Sequence, residues 1–304
     1  MRLELGINTC FAVKRWPRPS DWAPIVAERL KLRRIEHSFD LVDLSAAGAD
    51  EAARDIVAAA SVAGLTVGST FTGLAAYSSN LFLSPEASTR AAARTWFGDA
   101  IAFSESVGAR ATGGHVGAFS VPDWRHAARR EERWNGLRTS LADLAEDAKR
   151  HGLEALLVEN LAAAREPSTM AMIRDLLADG DETHVPVRLA LDIGHMCVTG
   201  TAGHDRDPYA WLRELGSAAF EVQLQQSDAL GDHHWPFTRE ANRVGRIDAD
   251  RVIDALGESG VGDIPLMLEI IPAFEQEDDA VLDDLAISVD YWREALARRG
   301  VLAS

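Results

Sequence analysis

The sequence predicts an eight-stranded parallel (β/α)8 barrel, the TIM barrel architecture, formed as a single domain by residues 1–304. Short apolar runs alternate with helical segments eight times along the chain, and no series of consecutive hairpins interrupts the alternation. An open doubly wound sheet is the competing architecture. It is disfavoured because no glycine-rich phosphate loop follows any strand at the spacing that opens a helix.

The first half of the chain supplies four strands and four helices. Helix 124–151 shows apolar residues at the spacing of one buried face. The loop 72–83 after the third strand is long and uncharged, which suits a lid or pocket wall better than a plain turn. The predicted strands are 3–8, 33–39, 65–71 and 109–119, and the predicted helices are 20–30, 51–64, 85–107 and 124–151.

The second half repeats the pattern, and each of its strands ends in a side chain that carries oxygen. The fifth strand ends at Glu159, the sixth at Asp192, the seventh at Gln225 and the eighth at Glu269. Successive members are about 33 to 44 residues apart, the length of one strand-plus-helix unit. The helices between and after them are predicted near 168–178, 208–215, 248–258 and 279–298.

These four strand ends predict a metal site. A single strand-end acid often caps the next helix, but the carboxyl ends of barrel strands converge on one face. Three carboxylates and an amide would then lie together, and like charges at that spacing are unfavourable unless a cation neutralises them. We therefore expect one divalent cation at this face.

Composition excludes several classes of function. The formal net charge of −16 disfavours a nucleic-acid surface, which needs clustered Lys and Arg. Two cysteines, Cys10 and Cys197, are too few for a disulfide framework and are expected to be reduced. No apolar run reaches membrane length, and the chain starts directly on a strand without a leader. We expect a cytoplasmic protein with no nucleic-acid or membrane partner.

Four short motifs give a family resemblance. The sequence VEN at the fifth strand, LDIGH at the sixth, QQSD at the seventh and LEI at the eighth resemble the sugar isomerase/epimerase superfamily of xylose isomerase-like barrels. The resemblance implies that Glu159, Asp192, Gln225 and Glu269 bind the metal, Mn or Mg in first place and Co or Zn as alternatives. It also implies that Glu159 and Glu269 transfer protons, and that His195 contacts a substrate oxygen. Many relatives have histidine in place of Gln225.

The chemistry implied is proton abstraction from a carbon next to a ketone. The carbanion is unstable, so the site must stabilise an enediolate, and two carboxylates on opposite faces can remove and return the proton. Return to the opposite face of the same carbon inverts the stereocentre, which is 3-epimerisation, our first choice. Return to the neighbouring carbon gives the alternative, an aldose–ketose or hydroxypyruvate-type isomerase.

Three N-terminal segments narrow the substrate. GINTCFAVKRWP, HSFDLVD and FTGLAAYSSN resemble tetrulose-phosphate 3-epimerases, which act on erythrulose 1-phosphate. We therefore expect a small ketose or ketose phosphate as the partner. Lys14 and Arg15, in the first loop, would anchor a phosphate, or they are solvated loop charges.

Further residues have two interpretations each. Asn8 would bind a substrate hydroxyl or cap a turn, and His115 would contact substrate or pack as a neutral histidine. His234 and Trp235 are expected on the pocket rim. A barrel that binds sugar without turnover stays open, and so does a homo-oligomer, which relatives commonly form.

A DNA-repair endonuclease is the alternative from another class. The spacing of Asp232 and His234 matches those enzymes, which bind a cluster of zinc ions through additional histidines. It is disfavoured because Ser69 and Thr70 on the third strand and Gln225 on the seventh stand where histidines are needed.

Overall fold

A computed structural model describes residues 1–45, 47–178 and 184–303, and its strands close into one barrel. Each strand pairs in parallel with the next along the chain, and β1 pairs with β8 to complete the ring. The predicted barrel is therefore confirmed. The strands are β1 (Arg2–Asn8), β2 (Arg34–Ser38), β3 (Thr66–Phe71), β4 (Ala111–Gly114), β5 (Ala155–Glu159), β6 (Val187–Asp192), β7 (Ala219–Leu224) and β8 (Asp263–Leu268).

Helices connect the strands. The helices of the described residues are α1 (Pro19–Pro24), α2 (Ala49–Ala63), α3 (Ala87–Ser106), α4 (Val121–Arg125), α5 (Ala127–Arg150), α6 (Met170–Leu177), α7 (Pro208–Leu215), α8 (Arg239–Val244), α9 (Ala249–Glu258) and α10 (Asp278–Arg298). Within the described ranges, no helix has both the length and the apolarity that crossing a membrane requires.

Several elements differ from their predicted bounds. The helix predicted at 124–151 is divided at His126 into α4 and α5. Helix α1 begins at Pro19, since proline at the first helical position loses no hydrogen bond, and the chain continues as a π-helical turn, Ile25–Arg29. Strand β4 has four residues where eleven were predicted. Its last two residues, Gly113 and Gly114, have φ of 149° and 124°, a backbone that ends regular pairing and leaves His115 just beyond the strand.

Apolar packing surrounds the barrel. Trp22, Trp211 and Trp292 are buried in the core and are among the largest side chains without solvent exposure. The outward side chains of the strands pack against the helices, as a parallel sheet covered by helices requires. This shell holds the strand ends at fixed positions.

The barrel interior below its carboxyl end is partly polar. Glu36 and Glu221 are buried there. The amide of Gln223 donates to the Glu36 carboxylate at 3.2 and 3.3 Å, and Ser69 donates to Glu221 at 2.6 Å. Burial and the neighbouring Glu221 raise the pKa of Glu36 well above its usual range. This layer supports Asn8, whose amide donates to Glu36 at 2.7 Å.

Replacing Gly113 with alanine tests the close approach of β4 to β5. An added Cβ would lie 2.0 Å from the carbonyl oxygen of Leu157, and the φ of 149° is strained for any other residue. We expect Gly113→Ala to lower the free energy of unfolding by about 2 kcal/mol or more. Urea denaturation measures the change. The matched control is Gly136→Ala on the exposed face of α5, where a Cβ meets nothing within 4 Å and the protein should be equally or more stable.

Candidate active site

Three carboxylates meet at the carboxyl end of the barrel. Glu159 is the last residue of β5, Asp192 is the last residue of β6, and Glu269 follows β8. One oxygen from each lies within 4.8 Å of an oxygen from each of the others, and all three side chains are buried. The structure therefore brings together three of the four residues that the sequence assigned to a metal as one carboxylate cluster.

The environment penalises the charged form of these acids. Burial, partly opposed by the nearby His195, raises the pKa of Glu159 to about 8. Burial and the charges of Glu159 and Asp192 raise the pKa of Glu269 well above its usual range. Two of the three acids are therefore poised to hold a proton when no cation is nearby.

The turn after β6 holds Asp192 rigidly. Its Oδ1 accepts the backbone N–H groups of Gly194 at 2.6 Å and His195 at 3.1 Å. The Asn160 side chain pairs with the backbone of Asp192 in both directions, at 2.8 and 3.0 Å. A Cβ at position 194 would lie 2.2 Å from the Gln225 side chain, so glycine permits the close approach of the two strand ends.

Gln225 lies beside Asp192 with its amide orientation fixed. The backbone N–H of His234 donates to Gln225 Oε1 at 2.7 Å. The Nε2 group consequently faces both oxygens of Asp192 at 3.2 Å and Asp232 at 3.1 Å. Metal binding through Oε1 would require the amide to turn over and give up the bond from His234.

Two histidines and an aspartate lie next to the cluster. The Nδ1 atom of His195 lies 2.7 Å from the backbone carbonyl oxygen of Asn160. The Nδ1 atom of His234 lies 3.1 Å from the backbone carbonyl oxygen of Glu269. Both Nε2 atoms lie near Asp232 Oδ1, at 3.2 and 3.0 Å. Burial alone would lower the pKa of His195, but the charges of Asp192 and Asp232 outweigh burial and raise it.

Asn8 and His115 also reach this end of the barrel. Asn8 Oδ1 accepts the N–H of Cys10 at 2.8 Å, which is a capping bond, and its amide donates to Glu269 Oε1 at 3.3 Å. The ring of His115 is buried against the ring of Tyr77, with centroids 4.6 Å apart. Neither ring nitrogen of His115 has a hydrogen-bond partner among the described residues. Their contacts with substrate stay predictions.

Lys14, Arg15 and Trp235 have other neighbours. Arg15 forms an ion pair with Asp278 and donates to the carbonyl of Ala273 at 2.7 Å. The ammonium group of the exposed Lys14 lies 3.9 Å above the ring of Phe274. Both cations therefore join the first loop to the loop after β8. Trp235 stacks on His233 with ring centroids 3.9 Å apart, and its substrate contact also stays a prediction.

Comparison with known proteins assigns the chain to a family. The chain matches the family described as "Xylose isomerase-like TIM barrel" over residues 27–294. This chain belongs to the xylose isomerase-like TIM barrel family. Its curated relative named D-erythrulose 1-phosphate 3-epimerase, from Brucella abortus (strain 2308), is 30% identical over 300 residues, with 96% of each chain covered. The predicted superfamily resemblance is therefore confirmed.

Solved structures agree with the assignment to the xylose isomerase-like family. A crystal structure from Rhodospirillum rubrum ATCC 11170, provisionally assigned as a xylose isomerase, is 34% identical in sequence and has a TM-score of 0.89. The match covers 96% of this chain and 99% of the other. D-psicose 3-epimerase of Clostridium cellulolyticum H10, solved with D-tagatose, has a TM-score of 0.71 at 16% identity, with 97% and 99% covered. At that identity the second likeness shows the fold alone.

The donor set of this family member fits a divalent cation. Three buried carboxylates repel one another when ionised, and the buried Glu269 Oε2 has no hydrogen-bond partner among the described residues. An all-oxygen set of this kind suits Mg²⁺ or Mn²⁺. Asp192, His195 and His234 form a second group with the same spacing, in which two ligands are imidazoles.

Sequence reasoning missed one side chain at the cluster. Tyr77, in the loop predicted as a lid or pocket wall, donates its hydroxyl to Glu159 at 2.7 and 2.9 Å. The available signal was a single phenol in an uncharged loop that follows a strand at the reactive end of the barrel. The loop pattern indicated a wall but did not indicate which residue points inward.

Metal removal should make thermal stability depend on pH. The pKa of Glu159 is about 8 in the folded protein and near 4.5 when unfolded, so the acid favours folding at low pH, and this contribution disappears as pH rises to 8. We expect the melting temperature of EDTA-treated protein to fall from about pH 5 to about pH 8, and Mn²⁺ to reduce the fall. Differential scanning fluorimetry measures both curves. Parallel curves with and without Mn²⁺ would contradict a metal at these carboxylates.

Proposed function

We propose that this protein is a divalent-metal-dependent ketose 3-epimerase whose substrate is a tetrulose phosphate, erythrulose 1-phosphate. The observation that carries the proposal is the cluster of Glu159, Asp192 and Glu269 within 4.8 Å at the carboxyl end of the barrel. The Brucella abortus relative, named for this reaction and 30% identical across 96% of the chain, supports an enzyme of the isomerase class and the choice of substrate.

Glu159 and Glu269 are proposed as the two proton-transferring groups. One carboxylate removes the proton from C3, next to the ketone, and the other delivers a proton to the opposite face. A bound divalent ion would supply Lewis-acid stabilisation of the negative charge that develops on the substrate oxygens. Burial raises the pKa of both acids in the absence of a cation, and a bound cation would favour the ionised form of the acid that removes the C3 proton.

Neighbouring side chains are proposed to orient the reaction. The amide of Asn8 contacts Glu269 Oε1 at 3.3 Å and limits rotation of that carboxylate. His195 contacts the Asn160 carbonyl through Nδ1, which leaves Nε2 for a substrate oxygen. The Nε2 atom is buried and has no hydrogen-bond partner among the described residues, and the Asp232 carboxylate 3.2 Å away favours the protonated ring, which can donate to substrate.

The phosphate is proposed to bind near the first loop. Arg15 already shares its charge with Asp278, and only 9% of its side chain is exposed. The exposed Lys14 lies over an aromatic ring, without a carboxylate among its described contacts. Lys14 is therefore the stronger candidate for the contact with a phosphate group.

Replacing either acid by its amide should stop epimerisation. Gln keeps the size of Glu but cannot accept the C3 proton, so Glu159→Gln and Glu269→Gln should each lower kcat by at least about 100-fold. The assay follows the change in optical rotation of erythrulose 1-phosphate, because inversion at its single stereocentre, C3, interconverts two enantiomers with identical NMR spectra. Circular dichroism checks the fold. A near-normal rate in either variant would remove that residue from the proton-transferring pair.

Asp192 should control metal occupancy. Asp192→Ala removes one carboxylate of the cluster, and we expect at least a 10-fold weaker affinity for Mn²⁺, measured by elemental analysis after dialysis. Asp263→Ala is the matched control, because that acid pairs with Arg2 at the exposed start of β8. Equal metal content in both variants would argue against the proposed site.

Deuterated water separates epimerisation from its alternatives. The protein is incubated with four- to six-carbon ketoses and their 1-phosphates, and NMR locates the incorporated deuterium. Label at C3 of erythrulose 1-phosphate, together with a change in its optical rotation, supports the proposal. Label at the neighbouring carbon with aldose formation would indicate an isomerase, and binding without label would indicate a sugar-binding barrel.

A further inference from the structure

The three carboxylates of the cluster are held in different ways. Asp192 accepts two backbone N–H groups from its own turn, and Glu269 accepts the Asn8 amide from β1. The Glu159 carboxylate accepts hydrogen bonds only from Tyr77 within the part of the chain that the structure describes. Glu159 therefore differs from the other two, because a loop residue orients it.

The Tyr77 hydroxyl contacts both oxygens of the Glu159 carboxylate at short distances. The phenol oxygen lies 2.7 Å from Oε2 and 2.9 Å from Oε1, so its single proton is shared between both carboxylate oxygens. A donor in that position opposes rotation of the carboxylate about its last bond. Hydrogen bonds to ionised acceptors are the strong ones, so the restraint is largest when Glu159 is ready to accept a proton.

The loop that carries Tyr77 is fastened on both sides of it. Asp40 accepts the backbone N–H groups of Leu74 at 2.7 Å and Ala75 at 3.0 Å. On the other side, the Asn80 amide donates to the carbonyl of Ala118 at 2.5 Å. The Tyr77 ring also packs on His115. These contacts fix the hydroxyl at the cluster independently of any ligand.

We propose that Tyr77 is a positioning residue that holds the Glu159 carboxylate in the orientation needed for proton transfer on its face of the substrate. The inference rests on the proposed function, because it assumes that Glu159 and Glu269 serve opposite faces. A tyrosine that only walled the pocket would be replaceable by phenylalanine. A positioning tyrosine would not be, and its loss would affect one face alone.

Single-base variants make the two faces measurable separately. With Glu269→Gln, Glu159 alone can exchange the C3 proton of one enantiomer of erythrulose 1-phosphate, supplied separately, with deuterated water and without inversion. With Glu159→Gln, Glu269 alone can exchange the C3 proton of the other enantiomer, also supplied separately. Exchange in each Mn²⁺-loaded variant is followed by proton NMR, and metal content is verified by elemental analysis.

Tyr77→Phe is then added to each background. We expect exchange to slow at least about 10-fold in the Glu269→Gln protein, since a misplaced base reacts slowly. In the Glu159→Gln protein we expect a change below about 2-fold. Tyr291→Phe is the matched control in both backgrounds, because within the described ranges the one hydrogen bond of its hydroxyl is with the N–H of Ala249, at the start of α9. It should leave both exchange rates unchanged.

The outcomes separate this inference from the proposed function. Slower exchange in both backgrounds would mean that Tyr77 affects the pocket generally. Slower exchange in neither would mean that Tyr77 only forms a wall of the pocket. Either result would overturn the positioning role. No exchange in either single-base variant, before Tyr77 is changed, would instead refute the two-base mechanism. In that case Tyr77→Phe in the otherwise unchanged protein, compared for kcat and KM, would overturn the positioning role if kcat were unaltered.

Discussion

Mutual repulsion among buried carboxylates is the constraint on which the reactive end of this barrel depends. Glu159, Asp192 and Glu269 lie within 4.8 Å of one another in a place that water does not reach freely. Proton uptake or a cation relieves this repulsion, and a cation does so while the carboxylates stay ionised. The closed barrel makes the cluster unavoidable, because its parallel strands deliver their last residues to a single face.

The sequence predicted the parts of this arrangement that follow from periodicity. Apolar runs that alternate with helices specify the barrel, and acids at the ends of three such runs specify the cluster. The polar interior was not predicted. Glu36 lies between Ile35 and His37 in a short strand, and its sequence does not show its partners. Those partners are Asn8 on the neighbouring β1 and Gln223 on β7, which the closed barrel brings to it across the interior.

Loops set a second limit on prediction. Tyr77 contacts the cluster, and Asp232 contacts His195 beside it, and both contacts depend on the path of a loop. Loop paths are fixed by individual hydrogen bonds. Asp40 illustrates the difficulty, because it orders the Tyr77 loop from another connection, about 35 residues earlier in the chain. Residue types in the loop indicated a pocket wall, whereas the inward direction of the phenol follows from the folded path of the loop.

The seventh strand shows how a neighbouring loop changes what a strand-end residue presents. His234 has φ of +48°, a left-handed backbone that costs of order 1 kcal/mol for a residue with a side chain. Bonds from its N–H to Gln225 and from Ile271 N–H to its carbonyl compensate for this strain. The first of these bonds engages the Gln225 oxygen and turns the amide nitrogen toward Asp192. Gln225 therefore acts in this arrangement as a donor to the cluster, and the strained loop determines that role.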